Sequence, residues 1–165
     1  MDQINREGSA GAPDAREALG DAGPDRSRPP YRFSIRTRVE LADTDMYGVV
    51  YYGSYSRLFD RAVAAYRRHL DLPPLGVPEH FPVVRRISVD HLASARYADV
   101  LSVYVRVTNI GDTSLTVALL VARTRPEPVD VAEAEIVAVG LDEAGQPSAV
   151  PAAVRAAISR FDGIA

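Results

Sequence analysis

The chain has 165 residues, 47% of them hydrophobic and 25% charged, with a formal net charge of −3 and no cysteine. This balance predicts one globular domain that can bury a core without a disulfide or metal staple. The missing cysteine excludes thiol catalysis and cysteine-ligated metals, and the acidic balance argues against a nucleic-acid partner. No apolar run is long enough to span a membrane and no signal-peptide pattern is present, so we expect a cytoplasmic protein.

Residues 1–30 differ in composition from the rest of the chain. They are rich in glycine, proline and charged residues, with Ile4 and Leu19 almost their only large aliphatic side chains. Such a segment cannot bury enough apolar surface to offset the entropy lost on ordering. We therefore expect a disordered tail over residues 1–30 and a folded domain over residues 31–165.

A strand and a long helix are predicted next. Apolar and polar residues alternate over residues 33–41, from Phe33 to Leu41, which is the pattern of a half-buried strand. After Gly53 the apolar residues take the i, i+3, i+4, i+7 spacing of an amphipathic helix, which continues to Leu70.

Four more strands and a short helix complete the predicted domain. Alternation predicts strands over residues 83–91, 100–108, 115–124 and 131–139, and Pro151 is placed to begin a terminal helix. One long helix against a mostly antiparallel five-stranded sheet is an α+β two-layer architecture.

The segment ADTDMYGVVYYGS joins the first strand to the long helix and holds two carboxylates, Asp43 and Asp45. Gly48 lets the backbone turn tightly or approach a ligand closely. The helix start exposes N–H groups and a partial positive charge, which polarise a carbonyl or an oxyanion. A carboxylate facing the same carbonyl can act as a general base on water or attack it directly. The alternative is that both acids are turn formers bonded to nearby amides, and spacing alone leaves both interpretations open.

Other catalytic signatures are missing from the sequence. There is no G-x-S-x-G motif and no glycine-rich phosphate loop, and the three histidines, 11 residues apart, do not match a zinc-binding helix. We therefore expect no metal and no cofactor.

The stretch RVELADTDMYGVVYYGSYSRLFDRA resembles the opening of the hot-dog-fold acyl-CoA thioesterases of the 4-hydroxybenzoyl-CoA thioesterase family. Their pattern is an acid-x-Asp-x-x-Gly-x-Val-Tyr-Tyr/His run that leads into Tyr-x-x-x-Phe-Asp/Glu-x-Ala. The resemblance covers residues 33–139 and includes ASARYADVLSV and GDTSLTV. It implies a hot-dog fold that hydrolyses an acyl thioester of CoA or of a carrier protein. It also implies a homodimer or homotetramer with active sites between subunits.

The resemblance implies roles for individual residues. Asp45 falls on the family's catalytic carboxylate, and Tyr52 on the residue whose backbone amide polarises the thioester carbonyl. Asp43 is expected to hold the loop, and Asp60 falls where a related branch of the fold carries its acid. The expected substrate-binding residues are Tyr47, Gly48, Val50, Tyr51, Tyr55, Asp60, Arg86 and Ser114.

The sequence departs from the family in the hairpin NIGDTSL, which carries an acid where the family has basic residues for the CoA phosphates. Nucleotide recognition then shifts to other arginines, such as Arg85, Arg86 or Arg96. A carrier protein's phosphopantetheine arm becomes an alternative to CoA.

Two other functions compete with hydrolysis. One is a non-catalytic hot-dog domain that binds acyl thioesters as a sensor or structural partner. The other is a hydratase or dehydratase of the same fold, which is disfavoured because no histidine lies near Asp45 in the sequence.

Overall fold

One antiparallel sheet and two helices make up the described part of the chain. The computed structural model describes residues 22–73, 81–125 and 127–164. Within them the six strands are ordered β1-β2-β4-β5-β6-β3, and every neighbouring pair is antiparallel. The elements are β1 (Ala22–Pro24), β2 (Phe33–Arg38), a 3₁₀ turn (Leu41–Asp43), α1 (Ser54–His69), β3 (Phe81–His91), β4 (Val100–Ile110), β5 (Ser114–Arg125), β6 (Val129–Leu141) and α2 (Ala152–Asp162). The predicted two-layer α+β architecture is confirmed.

The main core lies between the sheet and the two helices. Alternate residues of β4 point to this face and are almost fully buried, and α1 contributes Phe59, Ala62 and Tyr66 from its apolar stripe. The β4 residues on this face are Leu101, Val103, Val105 and Val107. The period of two in the strand and the stripe on the helix therefore bury one shared surface.

The sheet has one strand more than the sequence predicted. Strand β1 lies inside residues 1–30, which we expected to be disordered, and it pairs with β2. The segment that follows β1 covers the other face of the sheet, where Tyr31 packs against Tyr104 and Ser27 Oγ lies 3.1 Å from the Tyr104 hydroxyl. The expectation is therefore wrong for residues 22–30, because backbone pairing and a tyrosine contact order a polar segment. Residues 1–21 lie outside the described residues.

Two predicted boundaries also differ. The first strand was expected to run to Leu41, but β2 ends at Arg38 and Leu41 lies in the 3₁₀ turn with 72% of its surface exposed. Alternation in the sequence continued past the end of the backbone pairing. Pro151 immediately precedes α2 and does not begin it.

No helix in residues 22–73, 81–125 and 127–164 is long and apolar enough to cross a membrane.

A buried carboxylate connects α1, β4 and α2. Asp162 is 3% exposed, and its Oδ2 accepts the Tyr66 hydroxyl at 2.6 Å and the Val107 backbone N–H at 2.9 Å. Pairing between β2 and β4 stops at Phe33 and Val105, so the Val107 N–H lies beyond the end of β2. Asp162 thus satisfies a backbone donor that would otherwise be buried without a partner.

We expect Tyr66→Phe to lower the free energy of unfolding by about 1–3 kcal/mol, because it removes a buried hydrogen bond to a carboxyl group. Urea titration followed by circular dichroism measures the change. Tyr97→Phe is the matched control, since Tyr97 is exposed and should unfold like the parent protein. Equal stability of the two variants would contradict a structural role for this hydrogen bond.

Candidate active site

The acidic segment before α1 folds back on itself as a tight hairpin. Asp45 and Val49 are joined by the Asp45 N–H, which donates to the Val49 carbonyl at 2.9 Å, and Thr44 bridges to Val50. The turn closes with the Gly48 N–H donating to the Asp45 carbonyl at 3.0 Å. Gly48 has a φ of +71°, a left-handed conformation that glycine adopts without steric cost. This position explains the glycine in the motif.

The carboxylate of Asp45 is held by one oxygen. Its Oδ1 accepts the Tyr47 N–H at 2.8 Å and the Val49 N–H at 3.4 Å. Its Oδ2 has no hydrogen bond among the described residues. The turn-forming interpretation is therefore correct for Oδ1 and leaves the second oxygen available to another molecule.

The start of α1 has unused backbone donors. Gly53 is its N-cap and no side chain caps the helix; the Ser54 N–H donates to the Tyr51 carbonyl at 2.8 Å. The N–H groups of Tyr52 and Gly53 have no partner among the described residues. The Tyr52 side chain is 71% exposed. Free amides at a helix start are suited to bind a carbonyl oxygen or an anion.

Asp43 holds the hairpin against α1, as expected. Its Oδ2 accepts the Glu40 N–H at 3.0 Å, its carbonyl accepts the Tyr51 N–H at 2.9 Å, and its Oδ1 forms a 3.0 Å ion pair with Arg57. The expectation that Asp43 is structural is confirmed. Since Arg57 is committed to this pair, it is not a free cation for substrate.

The tyrosines of the motif divide between surface and core. Tyr47, Tyr51 and Tyr52 are exposed, and the rings of the last two lie 4.4 Å apart. A Cβ at Gly53 would come within 2.6 Å of the exposed Tyr51 ring, so a larger residue there would displace that ring from its present position. Tyr55 is 3% exposed and packs edge-on against His91 at 4.8 Å. Burial raises the pKa of Tyr55 to about 12, and its location is the core rather than the exposed loop.

An apolar cavity of about 200 Å³ lies between α1 and the sheet, towards β3 and β6. Asp60 and Arg67 are the charged residues that line it. Arg67 donates to the Pro73 carbonyl at 2.7 Å, while its buried Nε has no partner among the described residues. Burial lowers the pKa of Arg67. The apolar lining residues are Val63, Tyr66, Leu72, Pro82, Val84, Val107, Leu115, Val117, Ile136, Ala138 and Ile158.

The structure brings together only part of the predicted substrate-binding set. Val50 follows the Asp45 turn and donates its N–H to the Ala95 carbonyl at 2.8 Å. Arg86 lies on β3 and pairs with Glu135, and Ser114 lies at the β4–β5 hairpin, where its carbonyl accepts the Gly111 N–H. No hydrogen bond or ion pair among the described residues connects Asp60, Arg86 or Ser114 to the hairpin of Asp45.

Sequence reasoning did not single out Arg96 above the other arginines. The structure places it beside the hairpin, because Arg96 forms an isolated backbone bridge with Val49. Its guanidinium has no partner among the described residues, where only its backbone groups are bonded: the N–H donates to the Asp99 carboxylate and the carbonyl accepts the Asp99 N–H. Residues 93–99 carry no sequence signal for this pairing.

Among the described residues, no group of three or more histidine, aspartate or glutamate side chains is arranged to hold a metal.

Part of the chain matches a known protein family. A family model described as "Thioesterase superfamily" matches residues 47–127. Acyl-CoA thioester hydrolase YbgC of Escherichia coli is 31% identical over 125 residues, which are 74% of this chain and 92% of the relative.

Solved structures share the fold over most of their length. A thioesterase of Thermus thermophilus, complexed with coenzyme A and Zn, is 28% identical with a TM-score of 0.70; the match covers 80% of this chain and 95% of that one. A variant 4-hydroxybenzoyl-CoA thioesterase complexed with 4-hydroxybenzoyl-CoA is 24% identical with a TM-score of 0.71, over 76% of this chain and 97% of that one. The hot-dog fold predicted from the sequence is confirmed.

Proposed function

The chain belongs to the thioesterase superfamily and is an acyl-CoA thioester hydrolase, and we propose that Asp45 and the start of α1 form its catalytic centre. The observation that carries this proposal is the unequal use of the Asp45 oxygens. Two backbone amides orient the carboxylate through Oδ1, and Oδ2 has no partner among the described residues. An oriented carboxylate with one free oxygen can take a proton from water or attack a carbonyl carbon.

The free N–H of Tyr52 is proposed to bind the thioester carbonyl oxygen. Negative charge develops on this oxygen when the carbonyl is attacked, and the partial positive charge of the α1 N-terminus stabilises it. Because the amide belongs to the backbone, the exposed tyrosine ring is not needed for this step. The products are the free acid and the free thiol.

The cavity between α1 and the sheet is proposed to hold the acyl group. Its lining is largely apolar, which suits a hydrocarbon or aromatic acyl chain. Asp60 and Arg67 then meet the acyl group, and Asp60 is a binding residue rather than the catalytic acid. Asp60 lies six residues after the first residue of α1, which is about 9 Å along the helix axis.

The thiol end is proposed to lie towards Arg96. Among the arginines considered from the sequence, Arg86 is paired with Glu135, whereas the Arg96 guanidinium is unpaired in the described residues and adjoins the catalytic hairpin. A free guanidinium is a good ligand for phosphate. CoA and the phosphopantetheine arm of a carrier protein both carry phosphate, so Arg96 serves either thiol.

The active protein is proposed to be a dimer formed through β3. This strand of 11 residues is at the edge of the sheet, and its Val83, Val84 and Ile87 are exposed. A long apolar edge strand is a template for pairing with a second chain. Pairing two copies of β3 would also bring Arg86 of one copy near the other subunit. Arg86 could then contact substrate bound there, although it lies away from the Asp45 hairpin of its own chain.

We expect Asp45→Asn to lower kcat for acyl-CoA hydrolysis at least about a hundredfold, the scale of losing a positioned base or nucleophile. The amide retains an acceptor oxygen for the Tyr47 and Val49 N–H groups, so folding should be unchanged. A thiol-release assay with aromatic, short-chain and long-chain acyl-CoAs measures kcat.

Asp60→Asn is the matched control for this variant. Because Asp60 is proposed to contact the acyl group and not to act as the base or nucleophile, kcat should change by less than about threefold. If Asp60→Asn is the inactive variant, the catalytic acid is on the helix and the assignment to Asp45 is wrong. If the parent protein binds acyl-CoA without releasing thiol, the chain is a non-catalytic acyl-thioester-binding domain.

We expect Val63→Phe to change acyl selectivity, because the larger side chain fills part of the cavity. Excluding even two methylene groups costs about 1.6 kcal/mol, so kcat/KM for the longest accepted acyl-CoA should fall by about tenfold or more. The shortest substrate is the internal control and should be hydrolysed as before. An equal loss for all chain lengths would show that the acyl group lies elsewhere.

We expect Ile87→Arg to convert the dimer to a monomer, because it places two cations where the edge strands meet. Sedimentation equilibrium measures the mass, and Ala156→Arg on the exposed surface of α2 is the matched control. A parent protein that sediments as a monomer contradicts the dimer outright. A variant that remains dimeric contradicts pairing through β3.

A further inference from the structure

A group of arginines surrounds two adjoining cavities at the opposite end of α1 from the catalytic hairpin. The cavities have volumes of about 300 and 320 Å³, and Arg26 and Arg32 line both of them. Arg160 lines the first, and Arg106 lines the second. We call these four residues the arginine cluster. Cavities of this size fall at the lower end of the range for small-molecule sites.

The fold assembles the arginine cluster from four separate elements. Arg26 lies in the turn after β1, Arg32 precedes β2, Arg106 is on β4, and Arg160 is in the last turn of α2. Leu70, the residue after α1, also lines the first cavity. Since α1 has 16 residues, the cluster is about 24 Å along the helix from the N–H groups at its start.

Most of the hydrogen-bonding capacity of the cluster is unused. Arg32 donates to the Phe161 carbonyl at 2.7 Å. Neither Arg26 nor Arg160 has a hydrogen bond or ion pair with the described residues, and the buried Nε of Arg106 has no partner there. Because Arg26, Arg32 and Arg160 are exposed, their remaining N–H groups can bind an anion that enters these cavities from solvent.

Asp162 is the one carboxyl group among the residues that line these two cavities. Its Oδ2 accepts two hydrogen bonds, whereas its buried Oδ1 has no partner among the described residues. Burial raises the pKa of Asp162. The residues that line the two cavities therefore include four arginines and one carboxyl group, in a chain whose net charge is −3.

We propose that the arginine cluster is a second binding site, separate from the catalytic centre, that takes a phosphate-bearing anion. Guanidinium groups bind phosphate oxygens through paired hydrogen bonds. Four of them match a multiply charged anion, such as a diphosphate or a nucleotide with two phosphates, better than a single carboxylate. The ligand is either the nucleotide part of CoA or a free phosphate compound.

Isothermal titration calorimetry of the full chain tests the proposal. The two probes are pyrophosphate and adenosine 3′,5′-bisphosphate, in phosphate-free buffer of constant ionic strength. We expect binding by at least one probe, and a tenfold or larger loss of affinity in the double variant Arg26→Gln/Arg160→Gln. Both side chains are exposed, so the variant should fold, which circular dichroism checks. Arg61→Gln/Arg68→Gln removes the same charge from the exposed face of α1 and should bind as the parent protein does.

Each outcome of the titration supports or overturns the proposal. Binding of the bisphosphate but not of pyrophosphate identifies the nucleotide of CoA as the ligand, and comparable binding of both identifies a free phosphate compound. No binding of either probe by the parent protein overturns the proposal. An equal loss in the two double variants also overturns it, because attraction is then due to overall charge. The measurement uses no acyl thioester, so its result is independent of whether Asp45 catalyses hydrolysis.

Discussion

Burial of the apolar stripe of α1 against the sheet determines where everything else in the molecule lies. Phe59, Ala62 and Tyr66 are almost fully buried beneath the helix, so α1 can neither rotate nor slide without exposing apolar surface at about 25 cal/mol per Å². Because the helix is immobilised, its N-terminus has one position relative to β2. The chain between β2 and α1 must then span that fixed gap, and the hairpin of Asp45 is the conformation that does so.

The two ends of α1 carry opposite chemistry. At the N-terminus, unpaired backbone amides lie in the same loop as a half-exposed carboxylate, an arrangement suited to reaction at a carbonyl. At the C-terminus, four arginines surround cavities that contain one buried carboxyl group. The helix dipole favours anions at the first end and cations at the second. The arginines are therefore in a favourable field, whereas Asp45 does not depend on the dipole because two backbone N–H groups hold it.

Polar groups, rather than apolar surface, specify the joints between elements. Asp43 joins the hairpin to α1 through Arg57, and Asp162 joins α1, β4 and α2 through Tyr66 and the Val107 N–H. Each carboxylate satisfies a backbone donor that no strand or helix reaches. These joints bring together residues that are 14 to 96 positions apart in the chain, which is why no local pattern indicated them.

The sequence by itself determined the two-layer architecture and the place of the hairpin that we propose to be catalytic. Alternation in β4 and β5, the apolar stripe of α1 and the glycine at position 48 are local patterns, and each follows from a repeat or a backbone conformation that adjacent residues impose. Tertiary structure alone decided which donors and acceptors remain free. The tertiary structure left Asp45 Oδ2 and the Tyr52 N–H without partners among the described residues and placed Tyr55 in the core. It also ordered β1 from a segment of disordered composition and assembled the arginine cluster. The physical reason is that a hydrogen bond or a burial depends on groups from distant parts of the chain, whereas periodicity records only the neighbours of a residue.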